Sequence, residues 1–413
     1  MSGTGGRTRR EILVDAAKAA AAASVAGLAG CFPDVGGRWP EAGAQSQCAE
    51  PDGGTTSDAG VPAPVTPAVV EVFREESVVV GATFVIHPDV VASMLDVGLA
   101  ALARQAALLN PGSSAQDGGA DADDAGRSDA DGGTDAGAAG QPEQDASVDN
   151  PWKVLLPNYQ PGQRIGLKVN CLNGHAPTSP AVVRAIIASL RDKLGVDPTT
   201  IVVWDRGLDE LNGAGRYSAT DLAGAQLLGT LLRAFRKDKG ETEAMVTPDG
   251  LGYGDAICPA VEGLSPRLSR LLTHKTDLTI NCPVFKSHGK SGVTAAMKNI
   301  YGIIDIPGQY HGNLNTALPK LYALPAIRNS ISLTIVDALV AVTTGDTDAL
   351  ADAAPRRILL AQDPVALDNY ALVLMNQLRA SVPYPAVDTK LTGWLAQAAA
   401  LGLGNPNYSL IQV

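Results

Sequence analysis

From Arg164 onward the chain repeats one rhythm: a short β-branched run, a polar residue, then a helical pattern. That alternation leaves few folds open, because strands separated by helices assemble as βαβ units on a mainly parallel sheet. Arg164 to Asn170 reads as a strand, and 180–194 as a helix whose Val182, Val183, Ile186, Ile187, Leu190 and Leu194 recur on one face. Thr200 to Trp204 is the next strand. Beyond it the spacing predicts a helix over 219–236, a strand over 278–282 and a helix over 292–301. Strands over 332–336 and 357–361 and a helix over 365–378 follow. The predicted class is α/β, a mainly parallel sheet with helices on both faces.

Polar residues sit where these strands stop. Lys168 and Asn170 close the first strand, Asp205 the second and Asp337 the fourth, while Lys286 and His288 follow the third and Asp363 the fifth. One polar strand end is ordinary, since strands become polar as they reach solvent. A set of them is what a ligand site at the carboxyl edge of an open α/β sheet leaves in a sequence.

The densest chemistry lies in 281–311, which holds Lys286, Lys290, Lys298, His288 and His311, in a chain with only five histidines. Gly289, Ser291 and Gly292 precede the predicted 292–301 helix, so the backbone can approach a ligand there and free N–H groups at the helix start favour an anion. Thr294 and Lys298, four apart, share a face of that helix. A P-loop is excluded because Val284 stands where Gly-x-x-x-x-Gly-Lys-[Ser/Thr] requires glycine. No Gly-x-Ser-x-Gly elbow or Ser-His-Asp arrangement points to a hydrolase triad. His288 and His311 have the chemistry of metal ligands or acid-base groups, but clustered lysines repel a divalent cation, so an anion is the better electrostatic match. A lysine among other cations also has a depressed pKa and can serve as base or nucleophile.

The remaining sequence carries little core. Residues 32–67 and 111–149 are rich in Gly, Ala, Pro and acidic residues without apolar periodicity, and are expected to be a disordered linker and a disordered acidic insertion. Ten acidic side chains against Arg127 in 111–149 supply most of the formal charge of −11, so there is no basic field for nucleic acid. Between the two tracts, 68–110 has strand-like runs at 77–80 and 83–86 and a helix beginning after Pro88. It is expected to join 150–413 in one interrupted domain.

Residues 1–31 combine Arg9-Arg10, an alanine-rich apolar stretch and Leu28-Ala29-Gly30-Cys31. In that order they predict a twin-arginine signal with lipidation at Cys31, hence an exported protein held to a membrane of the bacterial cell envelope by a lipid and otherwise extracytoplasmic. Neither Cys48, Cys171, Cys258 nor Cys282 forms a Cys-x-x-Cys pair, so there is no iron-sulfur or zinc-ribbon motif. Cys171 and Cys282 read as buried small hydrophobes.

Lys168-Val169-Asn170, Asn281 through His288, Thr294, Lys298-Asn299-Ile300-Tyr301-Gly302, His311, Ile335-Val336-Asp337-Ala338 and Asp363-Pro364-Val365-Ala366-Leu367-Asp368 together resemble the uncharacterised bacterial and archaeal family called domain of unknown function 362. The resemblance covers about 69–110 and 150–378. Some relatives carry ferredoxin-type segments whose cysteines are missing here. The family implies a fold and a site and has no established activity. His288-Gly289-Lys290-Ser291-Gly292 is also loosely similar to the glycine-rich histidine segment of nickel-pincer lactate racemases.

These readings predict a small anionic ligand, carboxylate or phosphate, with Lys286, His288 and Lys298 as catalytic candidates. Lys168, Asn170, Thr294, Asn299, His311, Asp337 and Asp363 are the ligand-binding candidates. No residue is assigned to a metal, and the cofactor is left open. Two other readings use the same residues: a non-catalytic ligand-binding or surface-assembly lipoprotein, and a metal- or nickel-dependent enzyme built on His288 and His311.

Overall fold

The computed structural model describes residues 66–109, 148–233, 245–246, 251–257 and 260–413. The signal peptide with Cys31, nearly all of the linker and of the acidic insertion, and Cys48 and Cys258 lie outside the described residues. In chain order the strands are β1 (Ala68–Phe73), β2 (Val78–Val80), β3 (Phe84–Ile86), β4 (Ile165–Lys168), β5 (Ile201–Gly207), β6 (Gln226–Arg233), β7 (Met245–Val246) and β8 (Tyr253–Ala256). They continue with β9 (Arg267–Ser269), β10 (Leu278–Asn281), β11 (Val284–His288), β12 (Gly292–Thr294), β13 (Ile331–Val342), β14 (Arg357–Ala361) and β15 (Ser409–Gln412). The helices are α1 (Pro88–Leu109), α2 (Pro151–Leu155), α3 (Pro180–Leu194), α4 (Leu208–Asn212), α5 (Leu314–Tyr322), α6 (Pro325–Arg328), α7 (Pro364–Ala380) and α8 (Gly393–Ala400).

The main sheet runs β15-β1-β14-β13-β10-β4-β5-β6-β7, with β11 pairing β13 and β12 pairing β11. β13, β10, β4, β5 and β6 form a continuous parallel block, and β14 runs antiparallel between β13 and β1. The fold is therefore α/β with a mainly parallel mixed sheet. β1 comes from the segment before the acidic tract yet pairs with β14 and β15, so both sides of that tract build one sheet.

Successive residues of a strand point to opposite faces, and the core divides accordingly. Ile201, Val203 and Leu360 pack with Met94, Leu95 and Leu99 of α1, Trp152 of α2 and Val182, Ile186 and Leu190 of α3. Val202, Trp204 and Leu359 pack on the other face with Leu318 and Leu321 of α5, Val365 and Met375 of α7 and Trp394 of α8. α1 is long and apolar enough to cross a membrane by composition, but its buried side chains belong to this core.

α3 begins where Ser179 Oγ accepts from Ala181 N and ends at Gly195 in the left-handed region. Two expected helices do not form. Over its described residues, 219–233, the first is a single turn at Ala219–Asp221 followed by β6, because its Leu227, Leu228 and Leu231 run pairs in parallel with β5. Strand pairing there overrides the helical propensity of alanine and leucine. The 292–301 stretch splits into β12 and a 3-10 helix, Met297–Gly302, and β12 closes a hairpin with β11. Gly292, at φ +75°, makes that turn possible, since a Cβ would lie 2.5 Å from Val387 Cγ1.

Candidate functional site

β4, β5 and β10 end side by side at one edge of the parallel block, with Asn281 in register with Lys168 and Lys168 with Trp204. The β11–β12 hairpin and the two 3-10 helices Met297–Gly302 and Pro307–His311 close over that edge. Between them lies a cavity of about 210 Å³ lined by Lys168, Asn170, Asp205, Arg206, Glu210, Lys286, His288, Thr294, Lys298, Asn299, Tyr301 and His311.

At its base Lys168 Nζ donates to Asp205 Oδ1 at 2.7 Å and to Val169 O at 2.7 Å. Asp205 also accepts from the backbone N–H groups of Cys171 and Arg206. This pair leaves little room above it: a Cβ at Gly302 would lie 2.8 Å from Lys168 Nζ and 2.9 Å from Asp205 Oδ1. Glycine here lets the backbone of the 3-10 helix cover the ion pair.

Three amides tie the strands to that helix. Asn170 Nδ2 donates to Asn299 Oδ1 at 3.0 Å, Asn299 Nδ2 donates to Asn281 Oδ1 at 2.8 Å and to Lys168 O at 3.2 Å, and Asn281 Nδ2 donates to Ala296 O at 2.9 Å. Asn299 thus borders the cavity but its amide is engaged by protein. Asn170 Oδ1 accepts from Lys286 Nζ at 3.1 Å. Asp368, on α7, accepts from Ala296 N and Met297 N and so anchors the start of the same 3-10 helix; burial raises its carboxyl to about 7.

Lys286 and Lys298 are 1% and 7% exposed, and neither forms an ion pair among the described residues. Burial lowers Lys286 to about 8, opposed by Asp205. Burial and then the charge of Lys286 lower Lys298 to about 7. Lys298 Nζ stands 3.6 Å from the centroid of the Tyr301 ring and 3.4 Å from His311 Nε2. Thr294 is directly opposite Lys286 in the hairpin, so both side chains leave the same face. Its Oγ1 is buried without a hydrogen-bond partner among the described residues.

His288 and His311 have ring centroids 5.5 Å apart. Burial and the charge of Lys298 hold both imidazoles below their ordinary range, His288 at about 2 and His311 at about 4. His288 Nδ1 accepts from Lys290 N, as a neutral ring does. Among the described residues no group of three or more His, Cys, Asp and Glu is placed to hold a metal ion, and Lys298 beside both rings opposes a cation.

Eight of the candidate residues therefore border one cavity: Lys168, Asn170, Lys286, His288, Thr294, Lys298, Asn299 and His311. Thr294 and Lys298 do so from a strand and a 3-10 helix, and do not share a helix face. Asp337 and Asp363 lie elsewhere. Asp337 is buried within β13, which runs on to Val342, and accepts from Ser179 N and Leu339 N; burial raises its carboxyl to about 6. Asp363 caps α7, accepting from Val365 N and Ala366 N, and also accepts from Asn405 N. β14 is antiparallel to β13, so its carboxyl end delivers Asp363 to the opposite edge of the sheet.

Arg206, Glu210 and Tyr301 border the cavity without having been candidates. Arg206 Nη2 donates to Glu210 Oε1 at 2.5 Å. Their i, i+4 spacing was visible, but it is the ordinary signature of a solvated helix pair. Tyr301 stood within the motif, at the end of the predicted 292–301 helix, and was given no role. Cys171 and Cys282 are buried and free, and burial raises both thiols.

Residues 264–373 match the model of a family described as Domain of unknown function (DUF362), in agreement with the resemblance carried by the Asn281 to Gly302 motif. That span contains Lys286, His288, Thr294, Lys298, Asn299 and His311; Lys168, Asn170 and Asp205 precede it. No curated protein matches the chain. Similar solved structures include a protein from Thermotoga maritima, 12% identical, covering 54% of this chain and 56% of that one with a TM-score of 0.34. Another is the lactate racemase apoprotein from Thermoanaerobacterium thermosaccharolyticum, 10% identical, covering 48% of this chain and 47% of that one with a TM-score of 0.29. The chain spans about half the length of each.

Proposed function

We propose that this is an exported, lipid-anchored protein that binds a small organic anion, carboxylate or phosphate, in the cavity at the carboxyl edge of the sheet and acts on it through Lys298. The supporting observation is that Lys286 and Lys298 are buried around one cavity with no carboxylate paired to either among the described residues. Burying a cation without a counter-charge is costly. A bound anion relieves that cost at Lys286 by favouring its charged form, and leaves Lys298, the amine with the lower value, to act on the ligand. Thr294 Oγ1 supplies a further free hydrogen-bonding group beside Lys286. His311 Nε2 is within reach of Lys298 Nζ and can exchange a proton with it.

Isothermal titration of the full chain with a panel of organic acids and phosphates tests the binding. Wild type is expected to bind at least one with 1:1 stoichiometry, and the Lys286→Ala/Lys298→Ala double variant to lose that binding. Equal binding by both proteins sinks the site. Export and anchoring rest on 1–31 alone; Cys31→Ser is expected to move the protein from the membrane fraction to the soluble one, and unchanged partitioning refutes the anchor.

A further inference from the structure

The cavity's three buried lysines are not equivalent. Lys168 is neutralised by Asp205, and Lys286 is oriented by Asn170 Oδ1. Among the described residues Lys298 has no ion-pair or amide-oxygen partner; its Nζ lies 3.4 Å from His311 Nε2 and 3.6 Å from the centre of the Tyr301 ring. The Tyr301 face and the imidazole lone pair favour an ammonium there, but burial and the charge of Lys286 outweigh them. A free amine in that position is well served, because the imidazole can take or return its proton.

Lys286 and Thr294 are register partners that line the same cavity and present to it an N–H donor and an O–H unpaired among the described residues. That is a clamp for a carboxylate, whose oxygens accept from both. The cavity, about 210 Å³, admits only a small molecule between this clamp and Lys298.

We propose that Lys298 is a Schiff-base lysine: its amine condenses with the carbonyl of a small 2-oxo acid whose carboxylate is held by Lys286 and Thr294. The inference rests on the anion reading above and names its substrate class. The nitrogen lone pair attacks the carbonyl carbon, a C–N bond forms and the C=O π pair moves to oxygen. His311 Nε2 receives a proton from nitrogen and passes it to that oxygen, giving a neutral carbinolamine. The nitrogen lone pair then forms the C=N bond as the C–O bond breaks, the remaining N–H proton passes by way of His311 to the departing hydroxyl, and one water leaves an imine to Lys298 with no change in oxidation state. Burial and the charge of Lys286, which hold Lys298 at about 7, supply the neutral amine this chemistry needs near neutral pH.

The test is reductive trapping on the full chain. Protein is incubated in turn with pyruvate, 2-oxobutyrate, oxaloacetate and 2-oxoglutarate, reduced with borohydride and mapped by peptide mass spectrometry, with calorimetry of each acid run in parallel. A secondary amine at Lys298 is expected with at least one acid, in clear excess over the exposed Lys290 and Lys320. Lys298→Arg should abolish the label and Lys290→Arg should keep it. Calorimetric binding with no label at Lys298, or label spread evenly over exposed lysines, overturns the imine and leaves the anion reading standing. If neither these acids nor any member of the wider acid and phosphate panel binds, both fall. The mapping on unsubstituted protein decides the matter even where Lys298→Arg perturbs the fold.

Discussion

Lys168 Nζ and Asp205 Oδ1, from neighbouring parallel strands, lie 2.7 Å apart with side chains 1% and 6% exposed. The pair forms the floor of the cavity, and both partners accept or donate further bonds to backbone. Removing one partner of a buried pair leaves an uncompensated charge, at a cost of about 3–5 kcal/mol. Asp205→Ala is therefore expected to lower the urea midpoint by that equivalent. The double variant Lys168→Met/Asp205→Leu should lose clearly less, and an equal loss would show that the cavity floor depends on packing and not on charge.

Thr294 offers a cleaner separation of function from stability. The residue is 2% exposed and its buried hydroxyl is unpartnered among the described residues, so Thr294→Val removes an unsatisfied group at constant shape. Stability should stay level or rise. Affinity for the bound anion should fall by about 1 kcal/mol, or roughly fivefold. A marked loss of stability would mean that the hydroxyl has a structural partner.

Titration of the lysines gives a signed pH effect. Lys298 and Lys286, at about 7 and about 8, sit below the value of about 10.4 they take when unfolded. Between about pH 7 and 8.5 the unfolded chain binds more protons than the folded one, so stability rises with pH across that window. The Lys286→Met/Lys298→Met variant should flatten the slope in urea melts at successive pH values. Anion affinity should move the other way, weakening as pH passes from 6 to 9, because Lys286 grips the anion in its charged form. Binding that holds steady to pH 9 and weakens only near 10 would refute the lowered values.

Asp363 is placed as a helix cap far from the cavity. Asp363→Ala should cost about 0.5–2 kcal/mol through loss of the α7 cap. Ligand affinity measured by titration should be unchanged. A selective loss of affinity at normal stability would return Asp363 to the site.

Much of the architecture was legible in local pattern. The β4 and β5 strands, the 180–194 span of α3 and the polar residues closing β4 and β5 all follow from hydrophobic spacing. The density of lysine and histidine in 281–311 likewise pointed to the segment that lines the cavity, though not to the hairpin and 3-10 helices it forms. Misreadings concentrate where pairing is decided at a distance. Gly292 to Thr294 looks like a helix start until β11 is available as its antiparallel partner, and 226–233 looks helical until β5 is beside it.

The amino-acid sequence by itself determined the α/β class and which rare polar side chains end the parallel strands, because hydrophobic period and strand length are local quantities. Only the tertiary structure decided which of those ends meet. β14 reverses direction, so Asp363 leaves the group that Asp205 and Lys168 join, and hairpin register sets Thr294 against Lys286. Strand direction and register arise from contacts between residues far apart in the chain, and these also bury Lys286 and Lys298 and so lower their pKa values.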